Sequence, residues 1–333
     1  MSNFQNEFSW SPSRHRMFES CKRQYYFNYY GSWGGWDKNA DAQAQLLYRL
    51  KKITTVPQLV GTVVHDAISN ALNALKLGRD ILPFAVETYA QNLFRQHLRE
   101  SKEHLWRYSA SQYTNLFEHY YNEPFTETDQ INSTNHISTS LKAFFASKAY
   151  TTLQSARPED YLTIEDLTDF TLASACADSG QVSTKIWVVL DVAIRRDKSV
   201  YIFDWKTGRE RQADRHQLAV YALYATSQWN VALPDLQLQD IYLQTSTERT
   251  LDLSPDDLDQ TRIFVTESVQ KMRALLDDPE QNTASQDTFP MTTNTRLCAT
   301  CPFKAVCYPD ERSARQPAPQ PTEQQDPVQL SLF

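Results

Sequence analysis

Residues 185–208 restrict the fold of this chain more than any other segment, because two apolar runs flank a short polar turn. The segment reads KIWVVLDVAIRRDKSVYIFDWKTG, with the turn at Arg196–Ser199. Both runs are rich in β-branched and aromatic residues, which is typical of strands. The segment therefore predicts a β-hairpin, and this hairpin in turn requires a sheet for its apolar side chains to be buried.

The second predicted strand ends with two charged residues on one face. Side chains alternate between the faces of a strand, so Asp204 and Lys206 point one way while Phe203 and Trp205 point the other. Pairing of the two strands would also bring Asp191 close to these charges. An ordinary solvated ion pair would account for Asp204 and Lys206, and so would a metal-binding carboxylate beside a lysine that serves the reaction.

Composition and charge limit the class of protein. The chain has 333 residues, 41% of them hydrophobic and 12% aromatic, which indicates a globular protein. No apolar run approaches the ~20 residues that a membrane-spanning helix needs, and residues 1–10 do not resemble a signal peptide. We therefore expect a cytoplasmic, nucleoid-associated protein with no membrane contact.

The net charge of −7 argues against a protein that coats nucleic acid passively. It leaves room for an enzyme that binds a short stretch of backbone through a local basic groove. The candidates for such a groove are Arg195, Arg196, Arg209 and Arg211, although charge clusters of this kind are more often solvated faces.

Helical patterns surround the predicted hairpin, and further strands flank it. Apolar residues recur at helical spacing over 61–78, 83–150, 213–228 and 255–278, while 161–173 and 236–245 read as strands. A Ser13 cap is expected to start a helix that leads to Cys21, and 31–56 have no clear period. The chain is predicted to be of the α/β class, with a central mixed sheet flanked by helices.

Carboxylates paired across a hairpin are hard oxygen ligands suited to Mg²⁺ or Mn²⁺. A metal ion held by Asp191 and Asp204 would activate water and neutralise charge on a phosphate, and Lys206 would orient that water or stabilise the transition state. His65, on the predicted helix at 61–78, is a possible nitrogen ligand. A lone helical histidine is more often structural.

Four short segments, taken together in chain order, resemble the motifs of the PD-(D/E)XK nucleases. They are GTVVH at 61–65, VVLD at 188–191, IFDWKTG at 202–208 and QLAVY at 217–221. The set is most similar to the RecB-like branch, which includes the CRISPR-associated exonucleases and the AddB nuclease domain. The resemblance implies a restriction-endonuclease-like core that acts on DNA.

The resemblance also implies roles for individual residues in a reaction that uses Mg²⁺ or Mn²⁺. The implied metal ligands are His65, Asp191, Asp204 and the backbone carbonyl of Trp205. The other implied catalytic residues are Lys206 as the catalytic lysine and Gln217 with Tyr221, which order the site and contact DNA. Asp191 and Asp204 count among the catalytic residues as well.

Three of the five cysteines form a C-x2-C-x5-C pattern at Cys298, Cys301 and Cys307. Three thiolates require a fourth ligand, for which Cys21 and Cys176 are the candidates, and a zinc site with four cysteines is one interpretation. The resemblance instead implies a 4Fe–4S cluster held by these three residues and Cys21, with Cys176 a buried free thiol. Such a cluster would join the two ends of the domain.

The resemblance and the composition together predict how the chain is organised. The expected parts are one RecB-like nuclease domain at 8–311 with a helical insertion at 83–160, an Fe–S region formed by 18–30 and 296–308, a disordered linker at 312–327, and a partner-binding motif at 328–333.

The motif QLSLF follows the Pro- and Gln-rich linker. It is similar to the peptide that bacterial proteins use to bind the DNA-polymerase sliding clamp, in which Leu330, Leu332 and Phe333 would fill apolar pockets and Gln329 would make polar contacts. A tether of ~20 residues would reach roughly 25 Å. A short peptide that packs on its own domain is the alternative.

Three functions remain open at this point. The first is a metal-dependent nuclease for single-stranded or end-exposed DNA in replication or repair, recruited by the clamp. The others are an inactive DNA-binding clamp adaptor and a nuclease of CRISPR spacer acquisition. The chain has no G-x-x-x-x-G-K-[ST] phosphate loop, which indicates that it lacks a helicase motor of its own.

Overall fold

The computed structural model describes residues 5–176 and 180–309, without the side chains of 174–182. The predicted linker at 312–327, the motif at 328–333 and the thiol of Cys176 therefore lie outside the described part of the molecule. None of the helices in the described part is both long enough and apolar enough to cross a bilayer.

The strands of the described residues are, in chain order, β1 (Ser9–Trp10), β2 (Ile53–Thr54), β3 (Asn115–Leu116), β4 (Tyr161–Ile164), β5 (Leu167–Cys176), β6 (Gly180–Val189), β7 (Val192–Arg196), β8 (Ser199–Lys206), β9 (Leu236–Tyr242) and β10 (Thr247–Leu251). The helices are α1 (Pro12–Ser20), α2 (Lys22–Tyr26), α3 (Ala42–Leu50), α4 (Val56–Lys76), α5 (Pro83–Lys102), α6 (Phe117–Tyr120), α7 (Glu127–Ala146), α8 (Lys148–Gln154), α9 (Gln212–Gln228), α10 (Pro255–Arg273) and α11 (Lys304–Cys307). Short 3₁₀ turns and one π-helical turn connect some of them.

A mixed five-stranded sheet lies at the centre, in the order β10-β9-β8-β7-β4. Strands β8 and β9 are parallel and are connected through α9, whereas the other neighbours are antiparallel. The β7–β8 pair is the predicted hairpin, turning at Asp197, whose φ is 55°. The predicted α/β class with a mixed sheet flanked by helices is confirmed.

The first strand of the predicted hairpin is interrupted, which the sequence does not show. Its apolar run bends at Leu190 and Asp191, so that β6 belongs to a second sheet, β1-β6-β5, while β7 belongs to the central one. At the bend, the carbonyls of these two residues accept the N–H of Glu165, at 3.0 and 3.1 Å. The polar bend thus remains hydrogen-bonded, and Asp191 lies where the two sheets meet.

Two hydrophobic clusters cover the two faces of the central sheet. On one face, α9 and α10 pack against Val200 and Ile202 of β8. On the other face, α4, α5, α7 and α8 pack against Phe203 and Trp205 of the same strand. The alternation predicted for this strand is therefore confirmed, and it directs Asp204 and Lys206 towards α9.

Two local predictions differ from the structure. The cap of α1 is Ser11 and not Ser13, because Pro12 takes the first helical position, where its missing N–H costs nothing. Segment 31–56, which has no clear period, contains α3, whose Leu47 and Leu50 are buried against Phe303 in a small third cluster.

The beginning and the end of the described chain pack directly against each other. Trp10 Nε1 donates to Ser268 Oγ at 2.8 Å, and Arg23 Nε donates to the carbonyl of Phe289 at 2.7 Å. The rings of Phe27 and Phe303 lie 5.4 Å apart between centroids. These contacts bring the early cysteine and the late cysteines to the same part of the molecule.

Candidate active site

Asp191, Asp204 and Lys206 lie at the same end of the hairpin. Asp191 Oδ2 accepts the backbone N–H of Trp205 at 2.6 Å, which fixes the carboxylate against the neighbouring strand. Lys206 Nζ forms an ion pair with Asp204 Oδ2 on the face shared by the two residues. Asp204 is only 1% exposed and the Lys206 side chain 15%, so the pair is largely removed from water.

Helix α9 supplies a glutamine and a tyrosine one turn apart, which therefore share a face. Gln217 Nε2 donates to Asp204 Oδ1, and Gln217 Oε1 accepts from Lys206 Nζ, each at 3.2 Å. Gln217 Nε2 also donates to the hydroxyl of Tyr221 at 2.6 Å, and this hydroxyl donates to the carbonyl of Val189 at 2.5 Å. The helix thus orients the ion pair and is tied to the end of β6.

His65 reaches the site from the middle of α4. Its Nδ1 lies 2.9 Å from Glu165 Oε1 and 3.5 Å from Asp191 Oδ1. One turn before His65, Gly61 lies close to the loop that follows Lys206, since a Cβ at this position would lie 3.1 Å from Thr207 Oγ1. The predicted histidine is therefore next to the hairpin.

Glu165 is a site residue that the sequence reasoning missed. It occupies the turn between β4 and β5 with a φ of 53° and joins His65 and Asp191 in a group whose ligand atoms lie within 4.8 Å of one another. The structure divides the strand predicted at 161–173 into β4 and β5, and the available signal for this break was the pair of acidic residues, Glu165 and Asp166. Such a pair reads as an ordinary turn unless the bend at Asp191 is known.

Asp240 is a second residue that was missed. It lies beside Asp204 in the parallel β8–β9 register, and its Oδ1 is 3.8 Å from Lys206 Nζ. That oxygen is buried without a hydrogen-bond partner among the described residues. In the sequence, Asp240 lies two residues after Leu238 and two before Tyr242, so the three side chains share one face of the strand. An acidic residue at a buried strand position is itself an indication of function.

Negative charge predominates in the site. Burial raises the pKa of Asp204 to about 6, with a further contribution from Asp191 and opposition from Lys206. Burial and the Asp204 carboxylate raise the pKa of Asp240 to about 7. Burial alone would lower the pKa of Lys206, but Asp204 and Asp240 outweigh it and raise this pKa. Several carboxylates close to a single lysine leave an excess of negative charge, which a bound cation would neutralise.

These donors fit a divalent metal ion. One imidazole with carboxylate oxygens is a set that Mg²⁺ and especially Mn²⁺ accept, and the group of His65, Glu165 and Asp191 is already close enough to share one ion. Asp204 is not in that group, and its carboxylate is paired with Lys206. Trp205 provides its N–H to Asp191, and the ligand role of its carbonyl stays a prediction.

The predicted basic groove is wrong for two of its four arginines. Arg195 and Arg196 lie at the turn end of β7, roughly 13–17 Å along the strand from Asp191. There Arg195 donates to the carbonyl of Trp229 at 2.7 Å and Arg196 to Ser155 Oγ at 3.2 Å. Because β7 and β8 are antiparallel, the start of β7 lies beside the end of β8. Residues that follow Asp191 along β7 therefore lie farther and farther from Asp204 and Lys206.

The four predicted cluster ligands, Cys21, Cys298, Cys301 and Cys307, line one small pocket. Cys21 lies between α1 and α2, and the others lie in the segment that packs on these helices. Burial raises the pKa of the Cys301 thiol to about 12 and that of the Cys307 thiol to about 11. Thiols so placed become thiolates only beside a positive centre such as a metal.

The mixed sheet, the buried Asp-x-Lys pair and the adjoining carboxylates form an arrangement typical of metal-dependent nucleases. The chain belongs to the PD-(D/E)XK nuclease superfamily, whose family model matches residues 9–308. No curated protein matches the chain.

Proposed function

We propose that this protein is a Mg²⁺- or Mn²⁺-dependent deoxyribonuclease of the RecB-like branch that degrades single-stranded or end-exposed DNA. The observation that supports this most is the convergence of His65, Glu165 and Asp191 with the buried Asp204–Lys206 pair at one hairpin end. The intact set also argues against the inactive adaptor, because an adaptor would not need every charged side chain in place.

The residues have distinct roles in this proposal. His65, Glu165 and Asp191 would hold the metal, and Asp204 would be a further ligand. A divalent ion bound there would acidify a water molecule and neutralise charge on the phosphate. Lys206 stabilises the extra negative charge of the transition state on the phosphate oxygens.

Gln217 and Tyr221 position the groups that react. Gln217 contacts both Asp204 and Lys206, so it fixes the distance between the carboxylate and the ammonium group. Tyr221 holds Gln217 and at the same time anchors to the carbonyl of Val189, two residues before Asp191. The resemblance implies that both side chains also contact the DNA.

The activity is tested with anaerobically purified protein and end-labelled single- and double-stranded DNA. We expect cleavage with Mg²⁺ or Mn²⁺, loss of cleavage in excess EDTA, and recovery when the metal is restored. The labelled fragments show which end is attacked. An inert wild-type protein that still binds DNA would favour the adaptor instead.

Glu165→Gln is expected to raise the metal concentration needed for half-maximal cleavage by about 10- to 100-fold, because the variant loses one charged ligand beside His65. Asp166→Asn is the matched control: this neighbour is exposed, and its carboxylate accepts a hydrogen bond from Thr163 Oγ1 at 3.2 Å. Metal titrations of cleavage compare the two. An equal metal requirement in both variants would remove Glu165 from the ligand set.

We further propose that Cys21, Cys298, Cys301 and Cys307 hold a 4Fe–4S cluster that joins the two ends of the domain. A single zinc ion with 2.3 Å bonds would place its sulfurs about 3.8 Å apart. Among the described residues, no three of these cysteines form a group with ligand atoms within 4.8 Å of one another. This wider spacing suits a larger, polynuclear centre.

We also propose that Gln329, Leu330, Leu332 and Phe333 bind the bacterial sliding clamp and that the protein acts in the cytoplasm, near the nucleoid. The support is the match of QLSLF to clamp-binding peptides and the Pro- and Gln-rich tether before it.

A variant with both Leu330→Ala and Phe333→Ala is expected to lose at least about 10-fold in clamp affinity, because two apolar anchors are removed. Its cleavage of free DNA should match wild type. Calorimetry with the purified clamp measures the affinity, and Gln324→Ala in the linker serves as the control. Wild-type affinity in the double variant would refute clamp binding through this motif.

A further inference from the structure

A cleft of about 200 Å³ opens directly beside Gln217 and Tyr221. One wall is formed by the solvent face of the β5–β6 pair, and the other by the first turns of α1. Besides Gln217 and Tyr221, the lining includes apolar side chains, hydroxyls and one arginine. None of these other side chains has a role in the reaction proposed above. The cleft is smaller than the ~300–1,000 Å³ of typical small-molecule sites, so it suits one flat group and not a whole ligand.

The β5–β6 wall is apolar although it faces solvent. Trp187 is half-buried, while Leu167 and Val189, which pair across the strands, are 65% and 37% exposed. Alternation places Trp187 and Val189 on the same face of β6, which leads to Asp191 two residues beyond. An exposed apolar wall beside a highly charged site is typical of a binding surface.

The opposite wall supplies positive charge. Arg16 is exposed, and no carboxylate lies within ion-pair distance of its guanidinium in the part of the chain described. Arg16 also lines a second cleft, of about 290 Å³, with His15 and His216. The two clefts share Pro12 and Arg16 and therefore adjoin each other at α1.

Other charged residues lie on these walls, one basic and two acidic. Lys185 Nζ lies 5.2 Å from the centroid of the Trp187 ring, and Asp169 pairs with Trp187 across the strands. Glu19 lines the second cleft. Among the residues that line the first cleft, Arg16 is the one with a charged side chain, so it is the candidate contact for an anion.

We propose that this cleft is a nucleotide subsite: a base of a single DNA strand stacks on Trp187 while Arg16 contacts the strand's phosphate backbone. The inference rests on the proposed nuclease function and specifies its substrate. An aromatic ring can stack on a base only where the base has left its own stack, as in a single strand. A duplex keeps its bases stacked and paired, so it cannot fill the cleft without fraying.

Binding is measured separately from cleavage, in full-length Asp204→Ala protein with EDTA present. The probe is a fluorescently labelled oligothymidylate of about 12 nucleotides, within the usual range of single-strand sites. Trp187→Ala is expected to weaken binding by about 5- to 100-fold, because the base loses its stacking partner. Trp187→Phe should weaken binding much less, because the smaller ring still stacks. Trp36→Ala, which removes a 47% exposed tryptophan outside the cleft, should bind like the parent.

Arg16→Ala provides a second test that does not depend on the fold of β6. It should lower the magnitude of the salt dependence of binding by about one unit of slope, because one phosphate contact is lost. In the otherwise wild-type protein, Trp187→Ala should also reduce the ratio of single-strand to blunt-duplex cleavage.

The outcomes separate the two proposals. If wild type cleaves DNA but Trp187→Ala and Arg16→Ala both bind the oligonucleotide as the parent does, the subsite is refuted and the nuclease stands. If wild type does not cleave while these variants still weaken binding, the nuclease function fails and the strand-binding groove remains. Thermal unfolding shows whether Trp187→Ala keeps its fold. If it does not, the salt dependence of binding in Arg16→Ala decides whether the subsite exists.

Discussion

Asp204→Asn should cleave DNA at least about 10³-fold more slowly than wild type, equivalent to about 4 kcal/mol of lost transition-state stabilisation. The asparagine keeps the shape of the side chain but removes the charge that pairs with Lys206. It also places an amide where Gln217 Nε2 now donates to a carboxylate oxygen. One substitution therefore disturbs the metal site and the orientation of the lysine together.

The size of this loss is measured as a single-turnover rate at saturating Mg²⁺ or Mn²⁺. Asp256→Asn is the matched control, since Asp256 is an exposed acid in the first turn of α10, and it should cleave at the wild-type rate. Thermal unfolding should show that both variants remain folded. A variant of Asp204 that cleaves within tenfold of wild type would show that this carboxylate is not part of the reaction.

Cys301→Ser is expected to abolish the bound iron and sulfide and to destabilise the domain by about 5 kcal/mol. The estimate treats the cluster as a cross-link that closes a loop of nearly the whole chain, from Cys21 to Cys298. Direct packing of Phe27 on Phe303 would still hold the two ends together, but without a covalent link. The domain should therefore unfold more readily rather than fail to form.

Iron and sulfide analysis, visible absorption and urea unfolding, all under anaerobic conditions, test this result. Cys176→Ser is the matched control, because Cys176 lies outside the proposed ligand set, and it should keep the full iron content. Zinc in place of iron in the wild-type protein would overturn the cluster assignment. Unchanged stability in Cys301→Ser would overturn the structural role.

Local periodicity was sufficient to predict several parts of the site. The two-residue period of β8 placed Asp204 and Lys206 on one face, and the helical period of α9 did the same for Gln217 and Tyr221. Both depend only on backbone geometry within one element. The assignment of His65 required the resemblance as well, since one histidine on a helix has many possible roles.

The missed residues share a different physical cause. Glu165 reaches the site because β6 bends away from β7, and the bend is stabilised by hydrogen bonds from Glu165 itself. Asp240 reaches it through the parallel register of β9 with β8. Neither the bend nor the register is encoded in a local pattern, because both depend on which strands become neighbours.

The sequence by itself determined the class of fold, the hairpin with its charged end and the pairing of Gln217 with Tyr221, since these follow from periodicity within single elements. Only the tertiary structure decided that Glu165 and Asp240 join the site, that Arg195 and Arg196 leave it, and that Trp187 and Arg16 face each other across a cleft. Such choices depend on strand order and direction, which are set by the packing of the whole core on both faces of the sheet.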